Sequence, residues 1–392
     1  MKDILDKVNS IKDWVIDIRR DLHTTPEIGM KEFVTNSKIR KYLDEINIDY
    51  KLSPYNTSIV ASIFIDKDLP TIALRADMDA LPILEQNEVS YKSQNPGNMH
   101  ACGHDAHTAI LLGTCKVLYD MKDLLICNIK FFFQPAEETV GGAKFMIEEG
   151  CMDNPKVDYV LGLHVSPLVD MGCIEVKYDS MNASTDTLSI SIKGKDGHGA
   201  YPHLGVDAIL CTSHVITALQ SIVSRNINPV DSVVISIGHI SGGTQGNIIC
   251  DEVKLIGTLR TLNSDTRIYA KKRINEIISN TCKSFDCDYD IDIEEGYPSL
   301  VNDSFVVDII KENGKILLGD NNVKIKEHSS LGAEDFSFFL EHSKGAFFNL
   351  GCRNEDKNII YPLHTSKFDI DENCLTVGIL LHIMNVISLS SI

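Results

Sequence analysis

Nine consecutive residues, Met99-His100-Ala101-Cys102-Gly103-His104-Asp105-Ala106-His107, hold three histidines, a cysteine and an aspartate just ahead of an apolar helical run. Thiolate, imidazole and carboxylate are the groups that bind borderline divalent cations and move protons near neutral pH. Three readings of this stretch are open. It is one wall of a metal site, or a Cys102 nucleophile with His104 or His100 as its base, or an accident of composition.

More chemistry-bearing residues follow the apolar segments. Thr71 to Leu74 runs into Arg75-Ala76-Asp77-Met78-Asp79, Ile126 to Phe133 into Gln134-Pro135-Ala136-Glu137-Glu138, and Val157 to Leu163 into His164. Open α/β sheets place their sites beyond the carboxyl ends of such strands. Adjacent glutamates at the end of a buried strand are costly unless paired or metal-bound, although a turn role accounts for Asp77 equally well. Together with His364, the residues Cys102, His104, Glu138 and His164 suit divalent ions. Five donors are too many for one four-coordinate catalytic ion that must keep an open position. They suit two ions with a shared ligand, which polarise a carbonyl and activate water near neutral pH. Glu137, beside Glu138, is then placed as the general base, and Asp79 to orient a ligand histidine. Asp105 and His107 either support the ligands or anchor the helix that starts there. The nucleophile reading leaves Glu137, Glu138, His164 and His364 without a role.

The elements that must position these groups fall into two patterns. From the N-terminus to about residue 182, and again from 296 to 392, buried strands alternate with helices. Ile4, Val8, Ile11, Val15, Ile18 and Leu22 mark one amphipathic helix, which stops before Pro26; His23 opens the turn that follows and is read as a helix-end histidine. A second helix over 32–46 faces the core with Phe33, Ile39 and Leu43. A helix over 106–118 follows the central cluster, and an apolar helix over 372–387 closes the chain. Between residues 183 and 295 the character changes. Leu188 to Ile192 alternates with period two, and the order is β-α-β-β-α-β, a split βαβ pattern of ferredoxin-like type. The expectation is an α/β catalytic domain, 1–182 with 296–392, built on a mixed, mostly parallel sheet flanked by helices. A ferredoxin-like α+β domain, 183–295, is inserted into it. That domain presents Gly197 to His203 and the glycine turn Gly242 to Asn247. Asn247, with Arg260 on a nearby strand, is a candidate pair for a substrate carboxylate; a solvated hairpin with an ordinary surface arginine is the other reading.

The chain has 392 residues and a formal net charge of -18, which argues against nucleic acid or an anionic membrane as partner. No signal-type apolar core is present near the N-terminus and no run reaches a membrane span, so the expected location is cytoplasmic. Eleven scattered cysteines lack a disulfide-scaffold spacing and read mostly as small buried hydrophobes.

These stretches, taken together, resemble the cytoplasmic di-metal amidohydrolases of the aminoacylase/carboxypeptidase-type metallopeptidase family. The branch is that of hippurate hydrolases, N-acetyldiaminopimelate deacetylases and plant auxin-conjugate hydrolases. The resemblance is carried by Arg19 to His23 with Pro26-Glu27, by Arg75 to Pro82, by Met99 to His107, and by Gln134 to Glu138 with Leu161 to His164. It continues through Gly197 to Pro202, Gly242 to Asn247, Gly257 to Thr261, Gly332 to Phe336 and Pro362 to Phe368. It implies two divalent ions per subunit (zinc, manganese, cobalt or nickel) held by Cys102, His104, Glu138, His164 and His364, with Glu137 as base. It also implies that the inserted domain is a lid and homodimerisation module. His198 would stabilise the oxyanion from its own subunit or from a partner, with Asn247 nearby. Asp196 stands where a glycine is common and Cys250 where a proline is usual.

The expected reaction is hydrolysis of the amide of N-acyl-L-amino acids, carrying N-acetyl or aromatic acyl groups. The alternatives are a dipeptidase or carboxypeptidase on the same residues, or a non-catalytic protein that binds metal or acyl-amino acids.

Overall fold

The computed structural model describes residues 2–392. The chain divides into two units: the first runs to Asp179 and resumes over Val301–Glu327 and Asp335–Ile392, and the second comprises Ser180–Leu300 and His328–Glu334. The first unit contains α1 (Lys2–Ser10), α2 (Lys12–His23), α3 (Phe33–Ile46), β1 (Asp49–Leu52), β2 (Ile59–Ile63), β3 (Thr71–Asp77), α4 (His104–Asp120), β4 (Asn128–Gln134), α5 (Gly142–Glu148), β5 (Tyr159–Asp170) and β6 (Ile174–Val176). The chain then passes through β7 (Asp179–Asn182) to β8 (Ser184–Lys193), β9 (Gly197–His198), α6 (Ala208–Ser221), β10 (Val233–Gly242), β11 (Ile248–Ile249), β12 (Glu252–Thr261), α7 (Ser264–Ser284) and β13 (Asp288–Glu295). It returns through β14 (Leu300–Asn302) to α8 (Ser304–Leu318), β15 (Val323–Ile325), α9 (Ser337–Leu340), β16 (Lys344–Arg353) and α10 (Asn373–Ser390).

The first unit is an α/β layer structure around one mixed sheet in the order β1-β2-β4-β3-β5-β16-β6-β15. The four central strands, β4, β3, β5 and β16, are parallel. Every residue of β3 and β4 is buried, as expected for parallel strands covered on both faces. On one face Phe131 and Phe133 join the core formed with α1, α2, α4 and α10. On the other, Phe132 stacks on Phe339 of α9 at 5.3 Å between ring centroids. α4 is buried almost all round, because it packs against α2 and α10 as well as the sheet.

The second unit has an antiparallel sheet in the order β10-β12-β8-β13, with α6 and α7 packed against it. In the unit's own strand order this is 2-3-1-4, the split βαβ arrangement. Leu188, Ile190 and Ile192 point into its core, while the intervening Ser189 is exposed and Ser191 half-buried. Asp207 and Asn263 cap the two helices through their side chains.

The structure departs from the sequence expectation at several places. The N-terminal apolar stripe forms two helices, because Ile11 leaves helical geometry (φ -104, ψ 3) between α1 and α2. All six stripe residues are still buried, so the 3.6-residue spacing survives the break. Phe33 opens α3 but is 68% exposed; Thr35, Ile39, Tyr42, Leu43 and Ile46 form its buried face. His164 does not end its strand: β5 continues to Asp170 because β16 pairs alongside it through Ser166. The short edge strand β1, Asp49 to Leu52, lies outside the expected strands, and its four residues are exposed or half-buried. The eleven cysteines are all free thiols.

Trp14, the only tryptophan, lies on α2 against Tyr42, so its fluorescence reports on the first unit alone. In urea unfolding followed at this residue, Phe131→Ala should cost about 3–5 kcal/mol, because it empties a fully buried site. Phe33→Ala should change the unfolding free energy by less than about 0.5 kcal/mol.

Candidate metal centre

Strand register explains how distant residues meet. Asp77 pairs with Gln134 across β3 and β4, and Arg75 pairs with Gly162 across β3 and β5. Two residues further on, His164 therefore stands level with Asp77, just where the chain after β4 turns into Glu137 and Glu138. α4 begins at His104, so the central cluster is delivered by the first turn of that helix and the loop before it. Gly103 has φ +87, and a Cβ there would lie 2.3 Å from Val165 Cγ2, so only glycine brings Cys102 and His104 this close to β5.

The donor atoms converge. Cys102 Sγ lies 3.4 Å from His164 Nε2 and 3.3 Å from His364 Nε2. His364 Nε2 lies 3.0 Å from Glu138 Oε1, and His104 Nε2 is 4.0 Å from the same oxygen. His364 comes from a far loop, held in a left-handed conformation (φ 60) by its N–H donating to Ala101 O at 2.9 Å. The donors sort into two overlapping groups, Cys102-His104-His164 and Cys102-Glu138-His364, that share the sulfur. A third group, within 4.8 Å, joins Glu137 to His104 and Glu138.

A ring of supporting contacts fixes these side chains. Asp79 Oδ1 takes His104 Nδ1 at 3.1 Å, and its Oδ2 accepts the Glu138 backbone N–H at 3.0 Å. With Nδ1 donating to that carboxylate, His104 Nε2 is the nitrogen left to lose its proton and bind a cation, and it has no hydrogen-bond partner although it is buried. His107 Nδ1 donates to Asp77 at 2.6 Å while its Nε2 accepts the Val165 N–H at 2.9 Å. Both nitrogens are thus committed to anchoring α4, and burial lowers the imidazole to about 4 despite Asp77. Asp105 receives Arg19 Nε at 2.8 Å and His23 Nδ1 at 2.7 Å. His23 is the last residue of α2, as expected, but it is buried as an ion-pair partner and also lies 3.3 Å from Glu85.

The electrostatics favour cations. Burial pushes the Cys102 thiol well above its usual value, helped by Glu138 and Glu137. Burial works against a charged His104 too, but Asp77, Asp79 and Glu138 outweigh it and raise the imidazole to about 10. It also opposes ionisation of Glu138, yet His364 and His104 bring that carboxyl down to about 2. Metal bonds of ~2.0–2.3 Å at a tetrahedral centre put nitrogen and sulfur donors about 3.5 Å apart. The Sγ···Nε2 separations of 3.4 and 3.3 Å match that spacing, and the orphaned His104 Nε2 points into the same space. The residues therefore fit a pair of divalent ions.

The remaining candidates lie in the second unit. His198 on β9 and Ile248 on β11 pair directly, and Gly199 N–H donates to Asn247 O at 2.8 Å, so His198 and Asn247 share one exposed two-stranded ribbon. Arg260 is not beside them. It pairs with Thr185 near the far end of β12, eight residues along from the Glu252 end where the ribbon joins, and its Nε donates to Thr258 Oγ1 at 3.3 Å. Period-two alternation locates a residue on a strand's face but not at which end of the sheet it emerges.

Two contributions were not foreseen. Arg75, fully buried, bonds Gln134, Asp77 and Asp335 at 2.8, 2.6 and 2.8 Å and braces the strand ends beneath the donors. An arginine inside the apolar run of β3 was the available signal, since a buried charge demands partners. The other is Glu32, whose carboxylate reaches the turn carrying Glu137.

Residues 73–385 match the sequence model described as Peptidase family M20/M25/M40. "Thermostable carboxypeptidase 2" of Saccharolobus solfataricus is 40% identical over 388 residues, covering 98% of this chain and 97% of that one. "N-acetyl-L-cysteine deacetylase" of Bacillus subtilis is 37% identical over 371 residues, 94% and 86% of the two chains. The Bacillus subtilis YXEP protein, described as a dinuclear metal binding peptidase from the M20 family, superposes with a TM-score of 0.85 at 30% identity over 98% of this chain and 99% of that one.

At pH 7 both Cys102 and His104 carry their protons in the metal-free protein, and both must lose them to act as donors. Titration with zinc or manganese should therefore release about two protons per subunit or more, read from the buffer dependence of the calorimetric enthalpy. Release of less than one would count against these two residues as ligands.

Proposed function

The chain belongs to peptidase family M20/M25/M40, and from that membership we propose that it hydrolyses the amide bond of N-acyl-L-amino acids, with N-acetyl or aromatic acyl groups. At the coarser level it is a hydrolase of amide bonds, of the amidohydrolase, deacetylase or carboxypeptidase kind. The observation that carries the proposal is the Glu137 carboxylate beside a complete donor set, within 4.8 Å of His104 and Glu138. A protein that only bound metal would have no use for it.

In this reading Cys102, His104, Glu138, His164 and His364 would hold two divalent cations, zinc, manganese, cobalt or nickel. Such ions, when bound, polarise the scissile carbonyl and make water a nucleophile near neutral pH. Glu137 accepts the proton of the attacking water and passes it to the departing amine nitrogen. Asp79 keeps His104 in the tautomer whose Nε2 faces the ions and steadies Glu138 through its backbone N–H. His198 donates to the carbonyl oxygen as charge develops there, from the inserted unit of the same chain or of a second copy. Arg260 is the candidate for the substrate carboxylate, while Asn247 lies beside His198 on the exposed ribbon and contacts other substrate atoms, since the two lie at different ends of the inserted unit.

A homodimer through the inserted unit belongs to the same proposal, supported by exposed Tyr201, Leu204 and Ile240 on that unit. So does a cytoplasmic location; among the described residues no helix is long and apolar enough to cross a membrane. A second reading, a carboxypeptidase or dipeptidase on the same residues, is favoured by the 40% identity to the Saccharolobus protein.

The two readings separate in a panel of N-acetyl, N-benzoyl and dipeptide substrates assayed with zinc, manganese, cobalt or no metal. N-acyl amino acids should turn over fastest and thorough chelation should abolish activity. Glu137→Gln should retain both metal ions and lose kcat by about a thousandfold, within the range for loss of a general base. A fully active Glu137→Gln would remove the base assignment, and preference for dipeptides would favour the second reading.

A further inference from the structure

Glu32 is a fully buried carboxylate that belongs to neither the donor set nor the ring of residues around it. It precedes α3 but does not cap it. That task falls to Glu27, whose oxygens accept the N–H groups of Val34 at 3.1 Å and Thr35 at 2.8 Å. Glu32 instead reaches across to the turn after β4. Its Oε1 accepts the Ala136 N–H at 2.9 Å, and its Oε2 accepts the Thr57 hydroxyl at 2.6 Å.

Ala136 has φ 57, a left-handed conformation that a residue with a Cβ adopts only when its surroundings impose it. Two residues on, the Glu138 N–H is held by Asp79 at 3.0 Å. Carboxylates thus grip the backbone on both sides of Glu137. The Glu27 to Glu32 segment is also seated tightly against this turn: a Cβ on Gly29 would stand 2.4 Å from Thr139 Oγ1 and 2.9 Å from Ala136 Cα. Burial, with the charge of Asp79 adding to it, raises the Glu32 carboxyl to about 7. The grip tolerates either form. Thr57 donates to the carboxylate and, with its hydroxyl rotated, accepts from the carboxylic acid, while Oε1 keeps the Ala136 N–H throughout.

We propose that Glu32 is a positioning residue: by holding the Ala136 N–H it keeps the strained turn in the conformation that aims Glu137 at the substrate. The proposal rests on Glu137 being the base. No atom of Glu32 touches the donor set, so its effect should fall on turnover and leave metal content intact.

The test compares kcat, KM and metal content of Glu32→Ala, Glu32→Gln, Glu137→Gln and the Glu32→Ala/Glu137→Gln double variant. Glu32→Ala should lose about ten- to a hundredfold in kcat, the scale of a small misplacement of a reacting group. Its KM should stay within about twofold and its two metal ions should remain bound. Glu32→Gln, whose amide can accept from Ala136 and donate to Thr57, should stay within about threefold of wild type. The double variant should be no slower than Glu137→Gln, because two residues acting through one step are not additive. Wild-type kcat in Glu32→Ala, loss of a metal ion with the activity, a Gln variant as slow as the Ala variant, or additive losses would each overturn the proposal. An active Glu137→Gln would instead overturn the base assignment, which keeps the two failures apart. Should Glu32→Ala not fold, Thr57→Val and Glu32→Gln decide: the former should slow turnover and the latter should not, and the opposite order overturns the proposal.

Discussion

The guanidinium of Arg75 sits inside the central strand of the first unit with about 1% of the residue exposed, and the polar end of the sheet is arranged to answer it. A buried charge costs several kcal/mol unless it is opposed and its hydrogen bonds are met. Gln134 takes Nε, and Asp77 and Asp335 take the terminal nitrogens. Asp335 in turn receives Gln134 Nε2 at 2.7 Å and the Ala143 N–H at 3.1 Å. One cation thereby ties together the ends of β3 and β4, the start of α5 and the segment before α9.

That arrangement has an electrostatic consequence. Burial opposes ionisation of Asp77, but Arg75, His104 and His107 hold its carboxyl well below the usual range. As a fixed anion it orients His107, and through His107 the first turn of α4. A second buried pairing, Arg19 with Asp105, secures the same turn from the side of α2. Past these pairs come Asp79, Glu137, Glu138 and Cys102, which hold more negative charge and thiol than the nearby histidines can neutralise unless they bind protons. Cations of higher charge relieve the same surplus, and a bound ion would invert the pKa pattern of the thiol and of His104.

Strain is concentrated where the donors are delivered. Gly103, Ala136 and His364 all have positive φ, and each lies within two residues of a proposed ligand or is one. Such conformations persist only where surrounding contacts over-determine them. Val165 packed against Gly103, Glu32 at Ala136 and Ala101 O at His364 supply those contacts. Rigid strands and α4 carry the coarse placement, and these three turns set the final aim.

Much of this protein is legible in its sequence. Buried apolar runs leading into Asp77 and Glu137-Glu138 mark two of the parallel strands and where they end, because side chains inside a sheet have to be apolar and charged groups collect where it ends. The Met99 to His107 stretch singles out Cys102 and His104 as candidate donors, since few residue types bind cations, and the structure brings their side chains together with His164. The period-two alternation after residue 186 announces the second unit. What local pattern cannot carry is register and long-range pairing. Nothing near His164 says that β5 continues past it, because that depends on β16, nearly two hundred residues away. Nothing near Arg260 says that it emerges at the far end of its sheet from Asn247. The partners of Arg75, the burial of His23 and the reach of Glu32 to Ala136 are decided only when segments remote in sequence are packed together. A hydrogen bond depends on where two groups finish in space, and the residue types flanking each of them do not encode that position.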